Sequence, residues 1–147
     1  MSIIFSKGCE YGLQAVLYIS TLERGRRILI KEIAAKLQIP VHFLAKILQQ
    51  LSQKGILKSY KGSKGGFVLG RSPEEIRLID IVNALDGMSI FTECILGFPG
   101  CSTEHPCPVH DRWGKIRTEA FEMLADETIA DVKEKSISKI ASLNMDS

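Results

Sequence analysis

Apolar residues near the start of the chain recur with the spacing of short α-helices. Ser6 can cap a first helix that runs to about Leu22, and its apolar positions surround so much of the cylinder that we expect cover on more than one side. Ile33, Ala34 and Leu37 then fit a helix of about two turns, which the sequence QIP interrupts.

The next helix carries a narrow apolar stripe with the i, i+3, i+4, i+7 spacing of a buried face. The stripe consists of Leu44, Ile47, Leu48 and Leu51. Pro40 suits the opening of this helix, and Gly55 suits its end. Two short helices joined by a tight turn predict a helix-turn-helix.

The segments ILKSY and FVL predict two β-strands, and the sequence KGSKGG between them suits a hairpin loop. A helix-turn-helix followed by such a hairpin is the pattern of a winged helix. The sequence SPEE at Ser72–Glu75 predicts a capping box with proline at the first helical position. The helix behind it stops at the sequence DG, and its buried face consists of Leu78, Ile81, Val82 and Leu85.

A long helix is predicted to start near Val109. Its apolar side consists of Trp113, Ile116, Ala120, Met123 and Leu124. Thr128 and Asp131 can cap a last helix. An apolar stripe beyond a complete small domain needs a partner, and in so short a chain we expect that partner to be a second copy in a homodimer.

These elements predict a mainly α fold with a small β-hairpin wing. We expect a winged helix-turn-helix DNA-binding domain in residues 1–72, and a cluster-binding loop (93–110) with dimerisation helices in residues 73–147. A chain of 147 residues, 45% of them apolar, is the size of one domain or of a small domain with an appendage. We find no secretory signal and no apolar run near the roughly 20 residues of a membrane helix, so we expect a cytoplasmic protein without membrane contact.

The net charge of +2 conceals an uneven distribution. Residues 1–72 hold twelve Lys and Arg against three Asp and Glu (+9), whereas residues 73–147 hold seven against fourteen (−7). This asymmetry favours a basic half that binds a polyanion, although a solvated basic face without a partner would have the same composition.

The expected partner of the basic half is double-stranded promoter or operator DNA. On the second helix of the motif, a polar face opposite the apolar stripe could reach base edges in the major groove; it consists of His42, Lys46 and Gln49. The hairpin loop offers Lys61, Ser63 and Lys64 to phosphates or to a narrow minor groove.

Three cysteines and a histidine fall in a loop rich in proline and glycine. Cys94, Cys101, Cys107 and His110 are separated by six, five and two residues. Zinc fingers use close pairs of ligands, which only the Cys107–His110 end approaches, whereas wider gaps can wrap an iron–sulfur cluster. In a reducing compartment, clustered cysteines favour a metal over a disulfide.

Other interpretations of these residues stay open. The loop cysteines could be buried as small apolar residues, could bind structural zinc, or could respond directly to oxidation. His105 also lies in the loop, and Cys9 falls in line with Leu13 and Leu17 as expected for a packed core thiol. We find no Ser/His/Asp arrangement, P-loop or acid pair, so we expect neither an enzyme nor a small-molecule substrate.

Four motifs in order resemble the Rrf family of bacterial winged-helix regulators over about residues 3–140. They are FSKGCEYGLQAVLYIS, IAAKLQIPVHFLAKILQQLSQKGIL, GSKGGFVL and the three-cysteine loop. The resemblance implies a homodimer in which the long helices pair and each loop holds a cluster near the other copy's first helix.

The resemblance also implies a set of cluster ligands. Members of the IscR type use three cysteines and a histidine, which here are Cys94, Cys101, Cys107 and His110; members of the NsrR type use a carboxylate in place of the histidine, here Glu10. The fourth ligand therefore stays open, as does the choice between a 2Fe–2S and a 4Fe–4S cluster. CymR-like members lack the cysteine trio, so that branch fits poorly.

We therefore expect a DNA-binding transcriptional regulator that senses iron–sulfur cluster status, redox state or nitric oxide. The alternative is a zinc-binding or thiol-based redox regulator with the same fold.

Overall fold

The computed structural model describes residues 4–100 and 102–143. In chain order the helices and strands are α1 (Lys7–Thr21), α2 (Ile30–Leu37), α3 (Val41–Gln53), β1 (Leu57–Tyr60), β2 (Gly66–Leu69), α4 (Leu78–Leu85), α5 (His110–Asp126) and α6 (Lys133–Ala141). Single 3-10 turns lie at Pro73–Glu75 and Ser89–Phe91. The prediction of a mainly α fold with a hairpin wing is confirmed.

The start of α1 is capped as predicted and is also tied to the end of α4. The Oγ of Ser6 accepts a hydrogen bond of 3.1 Å from the Cys9 N–H. The Ser6 N–H donates to Asp86 Oδ2 at 2.8 Å, and the Ser6 hydroxyl donates to the other carboxylate oxygen. Further along α1, a Cβ at Gly12 would collide with the Leu85 side chain, so the two helices cross at close range.

The helix-turn-helix forms because a left-handed residue separates two amphipathic helices. α2 ends at Gln38, whose φ of 56° is left-handed, and Pro40 then precedes the first residue of α3. All four residues of the predicted α3 stripe are buried: Leu44, Ile47, Leu48 and Leu51. The opposite face of α3 is therefore free to contact a ligand.

The wing is an antiparallel pair whose register runs from Leu57 opposite Leu69 to Tyr60 opposite Gly66. Ile28, in the turn between α1 and α2, adds a one-residue bridge by exchanging backbone hydrogen bonds of 3.1 and 2.8 Å with Phe67. A Cβ at Gly66 would lie 2.8 Å from the Ile28 carbonyl oxygen, and its φ of 138° also favours glycine. The α1–α2 turn and the wing are thus fixed to each other.

The capping box predicted at SPEE is wrong. Ser72 makes no side-chain capping bond, and residues 73–75 form only a 3-10 turn. The chain stays extended at Ile76 because its carbonyl accepts a hydrogen bond of 2.8 Å from the Ile129 N–H. α4 begins two residues later, where Asp80 Oδ2 accepts a hydrogen bond of 2.9 Å from the Arg77 N–H. A tertiary pairing therefore overrides the local capping signal.

The main hydrophobic core joins α1, α2, α3 and β1 and also takes in Ile76, Ile81 and Ile129. A smaller cluster of buried residues contains Cys9, Val82 and Leu124, so Cys9 is the packed core thiol that the pattern predicts. Of the helices that the structure describes, none is long and apolar enough to cross a membrane.

The long helix begins where the pattern predicts, but only part of its apolar side is covered by its own chain. Trp113 and Leu124 are buried. Ile116 and Met123 on the same helix remain 55% and 60% exposed. With Phe121, which is 38% exposed, α5 therefore presents three large apolar side chains to the outside of the monomer.

Candidate DNA interface and candidate metal centre

The first candidate surface is the exposed face of α3. His42, Lys46 and Gln49 are all exposed, because the spacing that buries the leucine stripe turns them to the other side. Phe43 is also 53% exposed, and its ring lies 4.5 Å from that of His42. Phe43 carries no distinguishing signal in the sequence, because a single aromatic residue beside a core stripe is most often buried.

The second candidate surface is the wing turn. Lys61, Ser63 and Lys64 are exposed between β1 and β2. The turn is closed by a hydrogen bond of 2.9 Å from the Gly65 N–H to the Gly62 carbonyl, and Gly62 has a φ of 92°. A cation-bearing hairpin tip of this shape suits phosphate or minor-groove contact.

Arg27 contacts the wing from outside it. Its Nη1 donates a hydrogen bond of 2.9 Å to the Lys64 carbonyl, and its guanidinium carbon lies 3.6 Å from the centre of the Tyr60 ring. The sequence signal for Arg27 was only the basic run RGRR, which gives no indication of which arginine touches the hairpin.

The candidate metal centre is a cavity of about 350 Å³ enclosed by the cysteine loop. Four potential ligands line it: Cys94, His105, Cys107 and His110. Cys101 lies outside the described residues, so its predicted role stays a prediction. In the described ranges no group of three or more His, Cys, Asp or Glu is placed to hold a metal ion.

The electrostatics of Cys94 favour the thiolate form. Burial raises the pKa of its thiol, but the opposing hydrogen bonds are stronger in sum and hold the pKa below its ordinary value. They come from the Leu96 N–H, the Cys107 thiol, and the N–H groups of Phe98 and Gly97. Backbone N–H groups that converge on one sulfur are typical of thiolates that bind metals and clusters.

The loop is attached to α5 at both of its ends. At the start, the indole Nε1 of Trp113 donates a hydrogen bond of 3.0 Å to the Glu93 carbonyl, directly before Cys94. At the finish, the His110 N–H donates to the Cys107 carbonyl at 3.1 Å. The two described cysteines are therefore held close to the first turns of α5.

Glu10 and Cys9 lie apart from this cavity. Glu10 sits in the first turn of α1, where its Oε2 is 3.3 Å from Lys7 Nζ, and it is not among the residues that line the cavity. Burial, together with the nearby Asp86 carboxylate and Glu10, raises the pKa of the Cys9 thiol to about 12. Cys9 is therefore a neutral core thiol at physiological pH.

The donor set fits an iron–sulfur cluster better than it fits a hard cation. Two thiol side chains in contact and two nearby imidazoles are soft and borderline ligands, which suit iron–sulfur or zinc and do not suit Mg²⁺ or Ca²⁺.

Comparison with known proteins places the chain in a family. Residues 5–135 match the Rrf2 family, described as "Iron-dependent Transcriptional regulator". A protein of Aquifex aeolicus described as an HTH-type transcriptional regulator is 34% identical over 132 residues, which cover 88% of this chain and 91% of that protein.

Solved structures agree with that assignment. The structure of CymR, the global cysteine regulator of B. subtilis, has a TM-score of 0.77 at 24% identity and covers 91% of this chain and 98% of its own; this likeness shows the fold alone. T. potens IscR has a TM-score of 0.69 at 25% identity and covers 92% of this chain and 88% of its own. The chain therefore belongs to the Rrf2 family, whose members are transcriptional regulators rather than enzymes, bind DNA and are typically dimeric.

Proposed function

We propose that this regulator binds an iron–sulfur cluster through Cys94, Cys101, Cys107 and one further ligand. We also propose that the state of the cluster controls its affinity for DNA. The observation that carries the proposal is the contact between the Cys94 and Cys107 thiols at the wall of a cavity, with the pKa of Cys94 lowered. Thiolates are the form that binds iron, so a lowered pKa makes Cys94 a better ligand than an ordinary cysteine.

Residues of the loop and of α5 would bind the cluster and fix the conformation of the loop around it. The N–H groups of residues 96–98 stabilise the Cys94 sulfur as an anion, and Trp113 fixes the backbone directly before it. When bound, the cluster supplies a redox-active centre that oxidants and nitric oxide damage. Ligation at both ends of the loop would hold residues 94 and 107 together beside α5.

His110 is the preferred fourth ligand. It lines the cavity and opens α5, close to Cys107 in sequence. His105 lines the same cavity and provides the direct comparison. Glu10 lies outside that lining, so it would have to reach the cluster from a second copy of the chain.

We propose that α5 pairs with α5 of a second copy and sets the separation of two reading heads. Ile116 and Met123, which the monomer leaves exposed, would be covered in that pair. Each head, within residues 1–72, would place His42, Lys46 and Gln49 in the major groove. The wing residues Lys61, Ser63 and Lys64 would lie against the backbone or the minor groove.

Anaerobic purification followed by metal analysis and DNA binding tests the proposal. We expect a brown protein that contains iron and sulfide. We expect Kd for a duplex selected from a random library to change by about tenfold or more when the cluster is removed at constant salt. Stoichiometric zinc, or identical affinity and footprint for the loaded and cluster-free protein, would refute it.

Matched variants distinguish the residues that bind the cluster from residues that do not. Cys94→Ser and Cys107→Ser should lose iron, whereas Cys9→Ala, which removes a buried thiol outside the loop, should retain it. His110→Ala should change the absorption spectrum and His105→Ala should not. If the two histidine variants are indistinguishable, the assignment of His110 fails while the cysteine assignment stands.

A second candidate is direct thiol sensing. The Cys94–Cys107 contact and the lowered pKa of Cys94 also suit disulfide formation on oxidation. This alternative predicts a colourless protein whose DNA affinity changes on mild oxidation and recovers with dithiothreitol.

A further inference from the structure

We infer that Arg27 is a positioning residue for DNA binding: it holds the wing turn in the orientation in which Lys61 and Lys64 meet the duplex. The inference rests on the wing contact in the proposed function, and it adds a residue that lies outside both the reading helix and the hairpin.

Two contacts of Arg27 reach different parts of the wing. The guanidinium lies 3.6 Å from the centre of the Tyr60 ring at the end of β1, within the range of a cation–π interaction. Its Nη1 donates a hydrogen bond of 2.9 Å to the Lys64 carbonyl inside the turn. One planar side chain thus joins the outgoing strand to the turn that follows it.

The backbone directly after Arg27 cannot shift independently of the wing. Ile28 exchanges two hydrogen bonds with Phe67 on β2, and Gly66 packs against the Ile28 carbonyl. The backbone beside Arg27 is therefore fixed relative to the wing, and the Arg27 side chain extends across the exposed end of the hairpin. Without it, the turn would keep the β1–β2 pairing and the bond between Gly65 and Gly62 but would lose the hydrogen bond from Arg27 to Lys64.

The contacts of the Arg27 guanidinium favour a role in fixing the wing over direct contact with a phosphate. A guanidinium combines a planar stacking face with hydrogen-bond donors in fixed directions, and here the Tyr60 ring and the Lys64 carbonyl use both features. Arg26, exposed in the same turn, makes no side-chain hydrogen bond or cation–π contact with the described residues of the wing. It therefore serves as the matched control.

The substitution Arg27→Lys separates the effect of wing orientation on DNA affinity from the effect of the positive charge. Arg27→Lys keeps the positive charge but loses the planar fork, so we expect Kd for a duplex selected by the wild type to rise about five- to tenfold. The slope of log Kd against log salt should become shallower although the charge at position 27 is kept, because Lys61 and Lys64 then make fewer phosphate contacts. Arg26→Lys should leave both quantities unchanged, and equal melting temperatures should exclude a folding defect.

A double-mutant cycle tests whether Arg27 affects DNA affinity through the wing lysines. If Arg27 acts through the wing, its lysine variant should cost little in a Lys61→Ala/Lys64→Ala background. Tyr60→Leu should reproduce the loss and Tyr60→Phe, which keeps the ring, should not. A loss from Arg27→Lys that is undiminished in that background, or wild-type affinity for Arg27→Lys, would overturn the inference.

The measurements use the cluster-loaded protein, so the two proposals can fail separately. Cluster-independent affinity refutes the sensing proposal and leaves the Arg27 cycle intact. Unchanged affinity in Lys61→Ala/Lys64→Ala removes the wing contact and the inference with it.

Discussion

The indole of Trp113, on α5, donates a hydrogen bond of 3.0 Å to the backbone carbonyl of Glu93, the residue directly before Cys94. The Nη1 of Arg117, one turn further along α5, lies 3.5 Å from the same oxygen. One carbonyl at the start of the cysteine loop is thus held by two donors from the long helix. The start of the loop is therefore attached to the first turns of α5 by two side chains.

Trp113→Phe should loosen the loop while leaving the helix folded. It removes one partly buried hydrogen bond and some packing volume, which costs about 1–2 kcal/mol of unfolding free energy. We expect the cluster absorbance to decay several-fold faster in the presence of an iron chelator. Arg112→Lys, at an exposed position on the same helix, is the control, and equal decay rates for the Trp113 variant and the wild type would contradict the tie.

Arg77→Met should destabilise the end of α5. Arg77 Nη1 donates a hydrogen bond of 2.7 Å to the Ala125 carbonyl, one of the last acceptors of that helix, and methionine keeps a similar stem without the donor. Because Arg77 is exposed, we expect a loss of about 0.5–1 kcal/mol in urea unfolding. Faster amide exchange should be confined to the last turn of α5; a uniform change along the chain would argue against a local cap, and Arg112→Met is the comparison.

Gly12→Ala should be costly because the new methyl group would meet the Leu85 side chain where α1 crosses α4. We expect a loss of about 1–3 kcal/mol in unfolding free energy. Gly8→Ala, on the same helix, adds a methyl group with only ordinary contacts to Ser6 and Ile47 and should be neutral or stabilising. Leu85→Ala should reduce the cost of the Gly12 substitution, and strict additivity of the two changes would show that they do not share space.

Asp131 should stabilise the turn before α6 in a pH-dependent way. The Thr128 N–H donates to Asp131 Oδ2 at 3.0 Å; this bond, and after it the hydrogen bond from the Thr128 hydroxyl to the carboxylate, lower the pKa of the carboxyl. Since the folded pKa lies below the ordinary 3.8, the stabilisation is full above that pH and is lost as pH falls through the lowered value.

Unfolding of the cluster-free protein at several pH values measures this contribution. Asp131→Asn should lower the midpoint at pH 7, and the difference from wild type should shrink in acid. A difference that is the same at pH 7 and well below pH 4 would contradict the assignment. Asp126→Asn, which removes an exposed carboxylate at the end of α5, is the control.

Local patterns predicted the helix-turn-helix and the wing because their signals lie within a few residues of each other. The stripe from Leu44 to Leu51 fixes both the burial and the polar face of α3, and the KGSKGG turn fixes the hairpin. The capping signal at Ser72 failed because Ile76 pairs with Ile129, which is distant in sequence. A short stretch of sequence gives no indication of a pairing between such distant residues.

The candidate metal centre was predictable in residue type but not in geometry. Cysteine spacing selected Cys94 and Cys107, and the structure brings them together at one cavity with His110. The N–H groups that stabilise the Cys94 sulfur follow from loop conformation rather than from residue identity. Arg27 and Tyr60 were missed for the related reason that each looks ordinary until the fold brings them into contact.

Glu93 is hydrogen-bonded to Trp113 of α5, and His110 is the first residue of that helix, so α5 sets where the segment between them leaves and rejoins the fold. A segment with other ligands could be substituted there, provided that its two ends meet the same anchor points. Under the proposed function, this segment would set the stimulus, while α3 and the wing would set the target promoter. A chimaera with a foreign insert at this position should keep the operator and answer to a new chemical input.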